Sequence, residues 1–326
     1  MDPYFDIPTR RMIIHMNHSF QLRQKASLLR AVFSVLFCTL LQGCATPSVS
    51  LNYFANELGF QRSTLHVKGF DLLVYKNSAQ FIGNIKGPAS TGSVMHVYLE
   101  GDGSPWRYRT MVMPDPTPRN PMMLRLMALD EQPSFYLGRP CYNGTSRDSG
   151  CDSRLWTSGR YSSKVVDSMA AAINVLAKRY RPDEVRLFGH SGGGALALLL
   201  AHEIALVTHV VTVAGNLDTD AWTAHHGYTP LYSSLNPAKQ PSLRPEVNQW
   251  HFLGGRDTVV PAQLIKPFVA SQAAASGFLY GGYDHGCCWV NLWPTILNAL
   301  DNRSAKLLLD AQFKSSETSL EAGDSQ

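Results

Sequence analysis

Three residues far apart in the chain, Ser191, Asp257 and His285, are of the types that together perform nucleophilic acyl transfer. A serine hydroxyl attacks a carbonyl only when a base takes its proton, and the base needs a third group to orient it. Ser191 lies in Gly189-His190-Ser191-Gly192-Gly193-Gly194, after the apolar Glu184-Val185-Arg186-Leu187-Phe188 and before Ala195-Leu196-Ala197-Leu198-Leu199-Leu200. That order predicts a strand, a sharp turn and a helix. Gly189 and Gly193 leave room for the strained backbone that lifts the serine out of a sheet and over the helix N-terminus. The G-x-S-x-G spacing is common by itself, so this setting carries its weight. Asp257, in Gly254-Gly255-Arg256-Asp257, follows the apolar run 249–253, and His285, in Tyr283-Asp284-His285-Gly286, follows the run 277–280.

The elements that must position these residues alternate between strand and helix. Residues 64–75 read as a bent strand or hairpin, and 93–99 as an apolar strand of the kind buried in a parallel sheet. A proline-rich polar loop, a helix around 121–130, a short strand at 134–137 and a loop over 141–159 follow. A helical period runs through 163–180, with Val165, Val166, Met169, Ala172, Ile173 and Leu176 on one side. Beyond the serine come a strand at 209–214, a polar insertion at 215–246, a helix at 261–270 and a closing helix at 289–300. This alternation argues for one mostly parallel sheet covered on both faces. All three residues then sit at the C-terminal edge of that sheet, where open α/β folds place their sites.

On these segments the chain resembles the α/β-hydrolase superfamily over residues 60–305, in the order serine, acid, histidine. The resemblance implies an α/β-hydrolase fold with Ser191 as nucleophile, His285 as base and Asp257 as the acid. Asp218 and Asp220 occupy the position that some members use for the acid. His190, His225 and His226 are the other histidines near these segments, the first expected to shape the pocket and the other two to line its rim. The oxyanion of acyl transfer needs preorganised donors. These are expected from the N–H of Gly192 and, in the loop Glu100-Gly101-Asp102-Gly103, from the N–H of Asp102, with Gly101 close behind. Glu100 stands where the family often has histidine. The two acidic side chains must point away or pair, with Arg107 or Arg160 as partners. Trp222, Tyr228 and Tyr232 in the insertion line a pocket, form a modest lid or pack the insertion onto the body. The implied reaction is cleavage of a small-molecule or lipid carboxylic ester. Peptidase and thioesterase activities use the same triad, and a non-catalytic binding protein on this fold is the competing class. No cofactor motif appears, and the cysteine and histidine spacings match no zinc site.

The N-terminus carries a different message. Arg23, Lys25 and Arg30 precede the apolar run 31–41, which suits the h-region of a signal peptide and is too short for a membrane span. It ends in Leu41-Gln42-Gly43-Cys44, which resembles the lipobox of bacterial lipoproteins. That resemblance implies removal of residues 1–43, acylation of Cys44, a tether over 44–59 and attachment to the cell envelope, with Ala45 favouring the outer membrane. Two acyl chains suffice for stable anchoring. Met12 and Met16 are alternative starts. Residues 1–43 hold five Lys/Arg and two Asp/Glu, so their loss takes the net charge from +4 to +1, against a nucleic-acid partner. Outside the cytoplasm disulfides persist. Cys141 and Cys151 can staple their loop, while Cys287 and Cys288 either bridge each other or reach that first loop. The tail 306–326 is polar. Nothing in the sequence sets an oligomeric state.

Overall fold

The computed structural model describes residues 46–79 and 93–302. Two antiparallel strands, β1 (Gln61–Val67) and β2 (Phe70–Lys76), form the hairpin expected over 64–75. Next come β3 (Val94–Leu99), a small separate hairpin of β4 (Trp106–Arg107) and β5 (Met111–Val112), and β6 (Ser134–Leu137). The strands β7 (Glu184–His190), β8 (Val207–Val213), β9 (Asn248–Gly254) and β10 (Ala275–Tyr280) complete an eight-stranded sheet of order β1-β2-β6-β3-β7-β8-β9-β10. From β6 to β10 every pairing is parallel, whereas β2 pairs antiparallel with both β1 and β6 and so alone runs against the other strands.

Side chains alternate across a strand, so each strand feeds two cores. Leu72 and Val74 enter one apolar cluster while Leu73 and Tyr75 enter the other. The first face is covered by α3 (Ser163–Tyr180), α4 (Gly192–Glu203) and α6 (Ala262–Ser271). The second is covered by α1 (Pro47–Glu57), α2 (Met122–Met127) and α7 (Trp289–Asp301). Helix α4 is apolar on every side and buried from Gly192 to Ala201, as a helix at the centre of the fold must be. The stripe predicted on α3 is the face that packs inward.

Three segments differ from expectation. Within the tether expected over 44–59, residues 47–57 are α1, started by Thr46 as N-cap and Pro47 in the first turn. Leu51 and Ala55 are buried in the second core, and burying a leucine is worth roughly 1.5–3 kcal/mol. The segment therefore belongs to the domain. The loop at 141–159 is stapled by the expected disulfide Cys141–Cys151, but it also holds a 3-10 turn, Ser153–Trp156, whose Leu155 and Trp156 are buried. The aperiodic insertion at 215–246 contains α5 (Thr219–His226), capped by Asp218 and ended by Gly227 in the left-handed region. The signal segment 1–43, Cys44 and the tail 306–326 lie outside the described residues. No helix among the described residues is long and apolar enough to cross a membrane.

Candidate active site

The chain leaves β3 toward β6 on one side, while β7 and β8 extend the sheet on the other, so the C-terminal ends of β3 and β7 frame a topological switch point. Ser191 follows β7 directly, with φ 54° and ψ −123°. A non-glycine residue rarely adopts such a backbone, and it persists only where its surroundings hold it. Here they do. The Ser191 N–H donates to Val213 O at 3.1 Å, and its carbonyl accepts from the N–H groups of Gly194 and Asn216. The turn is tight enough that a Cβ on Gly193 would strike the Leu99 carbonyl, and one on Gly189 would strike Gly193.

His285 and Asp257 meet behind the serine. Asp257 follows β9 and is buried, and its Oδ2 accepts from His285 Nδ1 at 2.8 Å. Its Oδ1 accepts from the N–H groups of Val259 and Val260, both at 2.8 Å. The carboxylate therefore fixes the Nδ1–H tautomer and leaves Nε2 with a free lone pair. Burial lowers the His285 pKa from its ordinary 6.5, the Asp257 hydrogen bond opposes this, and the charge of His190 lowers it further. The His190 ring lies 4.8 Å from that of His285, and its Nε2 donates to the His285 carbonyl at 2.9 Å. His190 thus packs against the His285 ring at the edge of the cleft. Ser191 and His285 line one cleft, but Ser191 Oγ holds no hydrogen bond among the described residues.

The other acids near these segments are engaged elsewhere. Asp218 Oδ1 caps α5 through the N–H groups of Asp220 and Ala221, and Asp220 pairs with Lys239. Asp284 Oδ1 accepts from the N–H groups of Gly286 and Cys287. His226 Nε2 donates to the Val259 carbonyl, and His225 is exposed.

The loop after β3 packs against the serine turn. A Cβ on Gly101 would lie 3.3 Å from Ser191 Cβ, and one on Gly192 would collide with Asp102 Oδ1 and Tyr161 Oη. Glu100 is buried, with Oε1 accepting from the Gly101 N–H at 3.1 Å and Oε2 from the Met123 N–H at 2.9 Å. Gly101 therefore has its N–H occupied. The N–H groups of Asp102 and Gly192 donate to nothing among the described residues.

The Asp102 carboxylate is clamped from three sides. Arg139 Nη1 donates to Oδ1 at 2.7 Å, while Arg160 Nη1 and Tyr161 Oη donate to Oδ2 at 2.9 and 2.6 Å. Arg139 Nη2 also donates to the Glu100 carbonyl at 2.8 Å, and Tyr142 Oη to the Asp102 carbonyl at 3.1 Å. Burial would raise the Asp102 pKa, but Arg160, Arg139 and Tyr161 overcome it and bring it down to about 2. Of the two expected partners Arg160 serves. Arg107 is not among the groups bound to this carboxylate, and Arg139 stands in its place.

The cleft has a volume of about 1130 Å³ and is walled by the β4–β5 hairpin on one side and the insertion on the other. Trp222 and Tyr228 line it, whereas Tyr232 does not and is exposed. The vicinal pair Cys287–Cys288 is bridged, beside the His285 loop. No group of three or more His, Cys, Asp or Glu among the described residues is placed to hold a metal ion.

A puromycin hydrolase superimposes at a TM-score of 0.52 and 17% identity, over 78% of this chain and 39% of that one. The chain has the α/β-hydrolase fold. A mutant puromycin hydrolase complexed with PGG gives 0.53 at the same identity, again over 39% of its length. The chain thus spans 39% of the length of these two neighbours. An esterase from Pyrococcus furiosus gives a TM-score of 0.49 at 11% identity, over 82% of this chain and 93% of that one. No family model and no curated protein matches the sequence.

Proposed function

We propose that the protein is a serine hydrolase that cleaves carboxylic esters through an acyl-enzyme. One observation carries this reading: a serine held at φ 54° lines a cleft together with a histidine whose Nδ1 is fixed by a buried carboxylate. His285 Nε2 takes the proton from Ser191 Oγ as Oγ bonds to the substrate carbonyl carbon. The resulting oxyanion is held by the N–H groups of Gly192 and Asp102. Collapse of the intermediate expels the alkoxide, which takes the proton from His285, and a water deprotonated by the same nitrogen then frees the acid. The open Ser191–His285 contact of the free protein closes on substrate binding, as catalytic hydrogen bonds do.

A fluorophosphonate probe is expected to label the wild-type serine, with parallel turnover of p-nitrophenyl acyl esters, and Ser191→Ala is expected to lose both. Equal labelling of the variant sinks the assignment. Export and acylation at Cys44 belong to the same proposal, supported by the sequence at 23–44 and by a disulfide of the type that persists outside the cytoplasm. Radiolabelled palmitate should enter the wild-type chain and not Cys44→Ala.

A further inference from the structure

Among the residues that line the cleft with Ser191 are two arginines that the proposed chemistry does not use, Arg109 and Arg119. Among the described residues neither lies within 4.0 Å of a carboxylate. The acids around the cleft have partners of their own. Glu100 accepts from the N–H groups of Gly101 and Met123, and Asp102 from Arg139, Arg160 and Tyr161. Asp257 is buried behind His285. The mouth is left with uncompensated positive charge, and low-dielectric walls focus such a field onto an incoming ligand.

The backbone beneath Arg109 points the same way. Three residues, Tyr108, Arg109 and Thr110, connect the paired Arg107 and Met111 of the β4–β5 hairpin, and the Thr110 N–H donates to the Arg107 carbonyl at 3.3 Å. Tyr108 and Arg109 have φ of 53° and 64°, the left-handed region that ordinarily takes glycine or asparagine. Bulky side chains held in the left-handed region collect at ligand clamps. The Arg109 guanidinium lies 5.5 Å over the Tyr228 ring, so the hairpin tip reaches the insertion across the mouth.

We propose that the ester substrate carries an anionic group, carboxylate or phosphate, on an apolar or aromatic body. Arg109 and Arg119 take the anion, and Trp106, Tyr108, Trp222 and Tyr228 hold the body. This deepens the serine-hydrolase reading and rests on it. The test is a binding titration of full-chain Ser191→Ala, followed by its tryptophan fluorescence, with 4-phenylbutyrate, 3-phenylpropyl phosphate and the neutral 4-phenylbutyramide. At least one acid is expected to bind about tenfold or more tighter than the amide. The tighter of the two identifies the anion. That advantage should shrink with added salt and vanish in Arg109→Gln/Arg119→Gln, while the amide's affinity stays within about twofold. No preference for either acid, whether all three ligands bind or none does, overturns the proposal. So does a preference that survives the double substitution. Because the variant cannot turn over, this result is independent of fluorophosphonate labelling, which alone decides the hydrolase reading.

Discussion

Tyr161→Phe removes one oxygen atom, and the structure says what should follow. The hydroxyl donates to Asp102 Oδ2 at 2.6 Å, beside two guanidinium groups that remain in the variant. The buried carboxylate is therefore not orphaned, and the loss is one charge-assisted hydrogen bond, about 1.5 kcal/mol of stability at the low end of such contacts. The catalytic effect runs through position. The Asp102 carbonyl is held by Tyr142, its side chain by Arg139, Arg160 and Tyr161, and its N–H is the group left free for an oxyanion. Outright loss of an oxyanion donor costs about 10²–10³ in kcat, so a loosened donor should cost about tenfold. Arg139→Gln takes away the Oδ1 contact together with the Glu100 carbonyl contact, and there kcat should fall about a hundredfold, within that same span. The assay is kcat and KM on a p-nitrophenyl ester, alongside the Kd of a boronic acid that mimics the tetrahedral intermediate and a denaturation curve. For Tyr161→Phe, KM should stay within about twofold while kcat and boronate affinity fall together. If stability falls but kcat and boronate affinity do not move, the clamp merely packs the loop, and the assignment of the Asp102 N–H is wrong.

Two further outcomes concern pH. As a base His285 must be neutral, and burial lowers its pKa below 6.5, so the acidic limb of kcat/KM should lie below pH 6.5 with a plateau above it; a limb above 6.5 contradicts the buried geometry. Burial also holds His251 down to about 3 and, with the nearby Arg186 charge, His209 down to about 4. Below pH 6.5 the unfolded chain binds protons that these folded histidines refuse, so each removes about 1.4 kcal/mol per pH unit as the pH falls toward its folded pKa, and His251→Phe should flatten a urea stability profile between pH 6 and 5 by about one proton.

Ser191, Asp257 and His285 were legible because each lies one loop beyond an apolar run, and runs of that kind form parallel strands whose ends share an edge. Local order along the chain was enough to bring them together. The partners of Asp102 had no such signal. Arg139 follows β6, while Arg160 and Tyr161 precede α3, and only the folded sheet brings them together at Asp102 in the loop after β3. What the sequence did contain was a debt of charge: two carboxylates beside a forming oxyanion require cations, whichever elements deliver them. The start of α1 was readable too, since Thr46-Pro47 is an N-cap followed by a proline in the first turn, with Leu51 and Ala55 one helical turn apart. It was masked by the lipobox just before it, which made the following residues look like a spacer. The β4–β5 hairpin is the opposite case. Its loop is Tyr108-Arg109-Thr110, with two bulky residues in the left-handed region and none of the Gly, Asn or Asp that mark such loops, so rules of local propensity must miss it. Sequences depart from local rules where another demand on the residues prevails, and these two residues stand over the cleft that holds Ser191.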